Sequence, residues 1–331
     1  MKTLNPHQHY LLAEFAEDYL ARSMSRRDLL RRSLLATGSI ALTASTLLAL
    51  GCSGDDGDEP AAASTTAGST STSAAGPPAT TAANSTTTAE TTGSISATGS
   101  TTGAEEIEAD DVSFTGPASE ILGYLARPAG DGPFAGILII HENRGLLEHY
   151  KDVARRYAAE GFAAFAIDLA SRLGGSDVAG QQVGQIDPND LVDDLQAGID
   201  YLKAQNYVNP EAIGVTGFCF GGGYAFDITA ASPDVKAAVP YYGTARRALQ
   251  IGLAETQAAV LVMYGETDSR ITGERPDVEA ALMASGSPYE IIVHAGAGHA
   301  FFNDTAGSYN EAAATAAWQA TLAWFREHLE S

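Results

Sequence analysis

From residue 111 onward, short apolar runs alternate with amphipathic segments. Runs over 135–141, 162–167, 212–216, 236–241, 258–264 and 289–294 predict strands, most of them buried on both faces. Segments over 148–160, 190–205, 224–231, 277–285 and 311–328 predict helices. In the second of these, Leu191, Leu195, Ile199 and Leu202 share one helical face. Two shorter runs, 112–115 and 120–126, come first and predict an antiparallel edge. Strands alternating with helices imply an α/β fold, a mostly parallel sheet with helices on both faces.

The first hundred residues read differently. Ser25-Arg26-Arg27-Asp28-Leu29-Leu30 resembles a twin-arginine export motif, with Arg31 and Arg32 adding charge. A moderately apolar stretch over 34–50 follows, short and weakly hydrophobic for a membrane span. It ends at Ala49-Leu50-Gly51-Cys52, similar to a lipoprotein box in which Cys52 receives lipid, although Ala49 stands where leucine is usual. Before the arginines, Leu11, Leu12, Phe15, Tyr19 and Leu20 recur at near-helical spacing, for which function gives no account. Residues 53–107 are mostly Thr, Ser, Ala and Gly and cannot bury a core, so a disordered tether is expected. The expected organisation is therefore a signal segment over 1–52, a linker over 53–107 and one folded domain over 108–331. It implies an exported protein, at the cell surface or in the periplasm and held by lipid.

Charge narrows the partners. The chain carries 41 acidic and 19 basic residues, a net charge of −22. Six basic and four acidic residues precede Cys52, leaving 13 against 37, or −24, after it. Such a surface repels nucleic acid and anionic headgroups. Only two cysteines are present, Cys52 and Cys219. If one is lipidated and the other catalytic, no disulfide forms.

Gly217-Phe218-Cys219-Phe220-Gly221-Gly222 lies between a predicted strand and a predicted helix. It matches the nucleophile elbow G-x-S-x-G with cysteine for serine. Strand and helix crowd together at such a turn, so side chains at Gly217 or Gly221 would collide. The helix N-terminus favours negative charge on the thiol. On this topology the acid and then the histidine follow the nucleophile. Asp268 lies just past the run 258–264, and His299 lies past 289–294. Both positions are where open parallel sheets place their sites. Taken alone, Asp268 reads as a turn or helix cap and His299 as a loop histidine. Their order favours a Cys219–His299–Asp268 triad. His141-Glu142-Asn143-Arg144-Gly145 begins like H-E-x-x-H but has Gly145 at the second histidine, and His294 with His299 lacks zinc spacing. The glycine run has neither dinucleotide-binding register nor a P-loop lysine. No cofactor and no metal are expected.

These motifs together resemble the dienelactone hydrolase family of α/β-hydrolases, over roughly residues 108–331. The carriers are His141-Glu142-Asn143-Arg144-Gly145-Leu146, Asp168-Leu169-Ala170-Ser171-Arg172, the cysteine elbow, and Gly298-His299-Ala300-Phe301-Phe302-Asn303-Asp304. The resemblance implies an α/β-hydrolase fold and cleavage of an ester or lactone through a thioester on Cys219. It implies that Glu142 interacts with the thiol and that Arg172 contacts a substrate carboxylate. The backbone N–H groups of Phe220 and Asn143 would form the oxyanion hole. Arg144 would hold Glu142 or face solvent, the latter being favoured. Asn303 replaces a second arginine of carboxymethylenebutenolidase. Asparagine cannot grip a carboxylate with two charged prongs, so a weaker preference for anionic substrates is expected, with Asn303 still among the substrate contacts. The expected partner is a small ester or lactone, for a monomer that meets the membrane only through its lipid. Two other readings compete: a surface-tethered binding domain with a vestigial triad, and a single-thiol redox protein. The complete triad argues against the first and the absence of C-x-x-C against the second.

Overall fold

Eight strands form one sheet in the order β1-β2-β4-β3-β5-β6-β7-β8. They are β1 Ile107–Thr115, β2 Glu120–Pro128, β3 Phe134–Ile140, β4 Ala163–Ile167, β5 Val208–Phe218, β6 Val235–Tyr241, β7 Ala259–Gly265 and β8 Tyr289–His294. This computed structural model describes residues 106–330, the helix Arg26–Thr37, and the helical residues Leu12 and Phe15. β1 and β2 pair antiparallel at one edge, β2 meets β4 antiparallel, and every later pairing is parallel. The expected edge and the expected parallel sheet are both present.

Every residue of β4 and β7 is buried, as a parallel strand covered on both faces requires. Neighbouring residues of β3 show the two faces directly. Ile137 packs with Phe325 and Leu329 of the terminal helix Glu311–Leu329 around Gly214, while Leu138 packs with Phe165 around Gly198 of the helix Pro188–Lys203. Successive side chains of a strand point to opposite faces, so these two helices cover opposite sides. Pro188–Lys203 starts where the sequence supplies a cap: the Asp187 carboxylate accepts from the Asn189 N–H at 2.8 Å, and Pro188 occupies the first turn. The terminal helix is pinned to the end of β6 by the Tyr241 hydroxyl, 2.6 Å from Thr321 Oγ1.

Arg26 and Arg27 open the helix Arg26–Thr37, which lies against the turn Gly180–Gln185 with Leu29 buried. Leu12 and Phe15 are buried as well. Among the described residues, no helix is long and apolar enough to cross a membrane. The expected signal core beyond Thr37, Cys52 and the expected linker up to residue 105 lie outside the described residues.

Candidate active site

The site is built at the carboxyl ends of β3, β5, β6, β7 and β8. β5 ends at Phe218, and the helix Phe220–Ala231 begins two residues later. Cys219 joins them with φ 55° and ψ −114°, a left-handed conformation that a side-chain-bearing residue keeps only when its surroundings enforce it. Its N–H donates to the Tyr241 carbonyl at 3.0 Å, and its carbonyl accepts from the Gly223 N–H at 3.1 Å. The glycines are required by space. A Cβ on Gly217 would stand 2.1 Å from the Gly221 carbonyl oxygen, and one on Gly221 would stand 2.3 Å from that of Ile140. The strand, the turn and the loop after β3 thus touch backbone to backbone.

The acid and the histidine meet. His299 Nδ1 lies 2.6 Å from Asp268 Oδ2, and the Asp268 side chain is almost wholly buried. Asp268 also accepts from the Ile271 N–H through Oδ1 at 3.4 Å, capping the turn Ser269–Thr272. One oxygen faces His299 and the other caps the turn. The two loops are tied together: the Thr267 N–H and hydroxyl both donate to the Ala297 carbonyl, at 2.9 and 3.0 Å. Farther along, Asp304 accepts from Arg156 at 2.6 Å and pairs with His149 at 2.9 Å, fixing the histidine loop to the helix Glu148–Ala159.

The loop after β3 carries Glu142. Its carboxyl accepts from the Asn303 amide at 3.1 Å and from the Tyr242 hydroxyl at 3.5 Å. Burial raises its pKa above the usual carboxylate range, opposed by neighbouring donors and by the charges of His299 and Arg144. Arg144, expected to face solvent, is half-buried, and its charge reaches Glu142. Tyr242 stacks edge-on with His299, centroids 5.2 Å apart, and lies within electrostatic reach of Cys219 and Glu142. Tyr150 lies within reach of the same two groups. Sequence reading missed both tyrosines. Tyr242 directly follows β6, and that strand-end position was the available signal.

His141 sets the backbone here. It is fully buried, and its Nε2 accepts from the Leu169 N–H at 3.0 Å. Nδ1 therefore carries the proton and donates to the Glu142 carbonyl at 2.6 Å. The same carbonyl accepts from the Gly145 N–H at 3.2 Å. In a trans peptide C=O and N–H point oppositely, so the Asn143 N–H is aimed away from His141.

Burial holds the His141 pKa below its ordinary value. Between that lowered value and about 6.5 the unfolded chain binds more protons, so stability rises with pH. The contribution is fully present above about pH 6.5 and is lost as pH falls toward the folded value. His149, lowered by burial in the same way, adds with the same sign. Buried carboxylates with raised pKa values, Asp227 at about 6 among them, act with the opposite sign, so the His141 contribution is read as a difference: on acidification from pH 7 to 5, His141→Gln is expected to lose less, or gain more, in melting temperature than the wild type. Glutamine offers one donor and one acceptor but no titrating proton. Equal changes in the two proteins would show that His141 is not a responsible group.

Arg172 does not present a free fork. Its Nε and Nη2 grip Asp194 at 2.7 and 3.0 Å, Nη2 also donates to the Asp190 carbonyl at 3.1 Å, and Nη1 lies 3.4 Å from the Asp190 carboxylate. These bonds tie the loop after β4 to the helix Pro188–Lys203. Asn303 likewise turns its amide to Glu142. Among the described residues, no group of three or more His, Cys, Asp or Glu side chains is placed to hold a metal.

An eight-stranded, mostly parallel sheet with a strained cysteine turn between strand and helix and an Asp–His pair on later strand ends defines an α/β-hydrolase. Residues 121–329 match the model of the dienelactone hydrolase family. A Methylorubrum extorquens protein provisionally named carboxymethylenebutenolidase is 31% identical over 257 residues, spanning 72% of this chain and 86% of that one. The crystal structure of a Klebsiella pneumoniae protein, provisionally a dienelactone hydrolase, superposes with a TM-score of 0.62 at 29% identity, covering 67% of this chain and all of that one. A dienelactone hydrolase-like promiscuous phosphotriesterase from metagenomic libraries gives 0.57 at 25% identity, covering 67% and 98%. The chain belongs to the dienelactone hydrolase family.

Proposed function

We propose that this protein is an exported hydrolase that cleaves a small ester or lactone through Cys219, His299 and Asp268. The observation that carries the reading is the 2.6 Å Asp268–His299 pair, joined through the shared neighbour Tyr242 to a cysteine held at φ 55° on a strand–helix elbow. In this mechanism His299 takes the thiol proton, and the sulfur attacks the carbonyl carbon. The oxyanion is received by the N–H of Phe220, first residue of the elbow helix, and by that of Asn143. His299 then protonates the departing alkoxide, leaving a thioester on Cys219. Water, deprotonated by His299, attacks the thioester, and the acid leaves as the thiol is restored. Asp268 holds the imidazole with its proton on Nδ1, so that Nε2 is the working base.

Substrates are expected to be neutral esters or lactones, because Arg172 is committed to Asp194 and Asp190 and position 303 carries no charge. The test is turnover of aryl acetates and simple lactones by the purified protein. Hydrolysis well above buffer, with no gain from a carboxylate on the substrate, is the expected result; a protein inert toward both overturns the reading. We further propose export by the twin-arginine route and lipidation at Cys52. Fractionation of cells carrying Arg26→Lys with Arg27→Lys, and labelled-lipid incorporation with Cys52→Ala, test these two steps. Unchanged fractionation and unchanged labelling, respectively, contradict them.

A further inference from the structure

We infer that Asn303, together with Tyr242, is a positioning residue that aims the Glu142 carboxyl at the Cys219–His299 centre, and that Asn303 is not a substrate contact. The inference rests on the reading of Cys219 as nucleophile. Asn303 is buried, and both ends of its amide are used. Its Oδ1 accepts from the Thr305 N–H at 3.0 Å and the Thr305 hydroxyl at 2.7 Å. Two donors on one end fix which end is oxygen, so the NH2 group must face Glu142 Oε2, 3.1 Å away. A flipped amide would set oxygen against carboxylate and NH2 against two donors.

The second donor comes from a residue held under strain. Tyr242 is fully buried with φ 37°, and its N–H donates to the Met263 carbonyl at 2.8 Å. That backbone sends the hydroxyl to Glu142 Oε1 at 3.5 Å while the ring faces His299. Non-glycine residues in this region persist only where the surroundings over-determine them, often at functional sites. Glu142 is thus gripped by one donor from the histidine loop and one from the end of β6, while the Tyr150 hydroxyl, on the helix Glu148–Ala159, also favours its ionised form. The charged and titratable groups around it are His299, Arg144, Tyr150 and Tyr242. An arginine at 303 would pair Glu142 with a full cation and hold it ionised. The neutral amide orients the carboxyl and leaves its charge available to the thiol and imidazole.

The test is a double-mutant cycle read as kcat/KM against pH on p-nitrophenyl acetate, with iodoacetamide alkylation of Cys219, located by peptide mapping, as a readout that needs no substrate. Asn303→Ala and Tyr242→Phe are each expected to lower kcat/KM roughly tenfold, the scale of one hydrogen bond to a charged group. The acidic limb should move to higher pH, since each variant loses a donor that favours ionised Glu142, and KM should hardly change. In a Glu142→Gln background neither change should have further effect. Asn303→Asp keeps the acceptor for Thr305 and sets a carboxylate against Glu142; it should move the limb farther the same way, and it serves if Asn303→Ala does not fold. Thr305→Val removes only the loop bond and should leave the pH profile in place. Additive losses in Glu142→Gln, a tenfold rise in KM with an unmoved profile, or a Thr305→Val profile shifted like that of Asn303→Ala would overturn the inference. If Cys219→Ala turns the ester over within tenfold of the wild-type rate, the nucleophile reading fails instead.

Discussion

Cys219→Ala is expected to lower ester hydrolysis by about 10⁴-fold or more, with the melting temperature changed by only a few degrees. Loss of a covalent nucleophile in a serine hydrolase triad costs up to about 10⁶ in kcat, while an intact oxyanion hole and binding site retain some rate above water. The same division holds here if the Phe220 and Asn143 amides are fixed by backbone geometry alone. Alanine removes neither the Cys219 N–H bond to Tyr241 nor the glycine contacts that shape the turn. Thiol ionisation is the smaller lever. An unperturbed thiol is a few per cent thiolate at pH 7, so full ionisation gains at most about thirtyfold, roughly 2 kcal/mol. One oxyanion donor is worth about 2.7–4 kcal/mol. A variant whose rate stays within tenfold of the wild type would remove Cys219 from the chemistry.

The second large effect is expected at Asp268. Asp268→Asn keeps Oδ1 to accept from the Ile271 N–H, so the turn Ser269–Thr272 keeps its cap. The atom facing His299 Nδ1, now a carboxylate oxygen at 2.6 Å, becomes an NH2 group that cannot accept. The imidazole must then carry its proton on Nε2 and present no lone pair to the thiol. The corresponding change in a serine protease costs about 10⁴ in kcat through this same tautomer error, and a loss of about 10³ to 10⁴ is expected here. Steady-state kinetics beside thermal melts check it: kcat should collapse while the melting temperature holds. A change confined to KM would mean that Asp268 does not orient the base.

The parts legible in the sequence were those written by local period and strand ends. β8 falls where the apolar run placed it, and the other strands differ only at their ends. β5 begins at Val208, four residues before the expected start, because Asn209-Pro210 reads as a turn although it continues the strand through an irregular register. The elbow helix begins at Phe220, not 224, because Gly221, Gly222 and Gly223 mask it by propensity while packing demands them. Asp268 and His299 were visible because each sits just past a strand. The Arg172–Asp194 pair was not legible because the partner lies on another element, 22 residues away, and nothing local announces it. Asn303 and Glu142 are 161 residues apart, so only the fold reveals that one holds the other. The place of Tyr242 just past β6 was a signal in the sequence, but its strained backbone is a property of coordinates and not of residue type.

The claim on which the rest stands is that the Cys219 sulfur becomes acylated during turnover. Acid-quenching the reaction with an acetyl ester at early times, then measuring intact and peptide masses, tests it most directly. One acetyl group on the peptide carrying Cys219, formed at least as fast as turnover and absent in Cys219→Ala, is the predicted result. Turnover at full rate with Cys219 unmodified at every time point would contradict it.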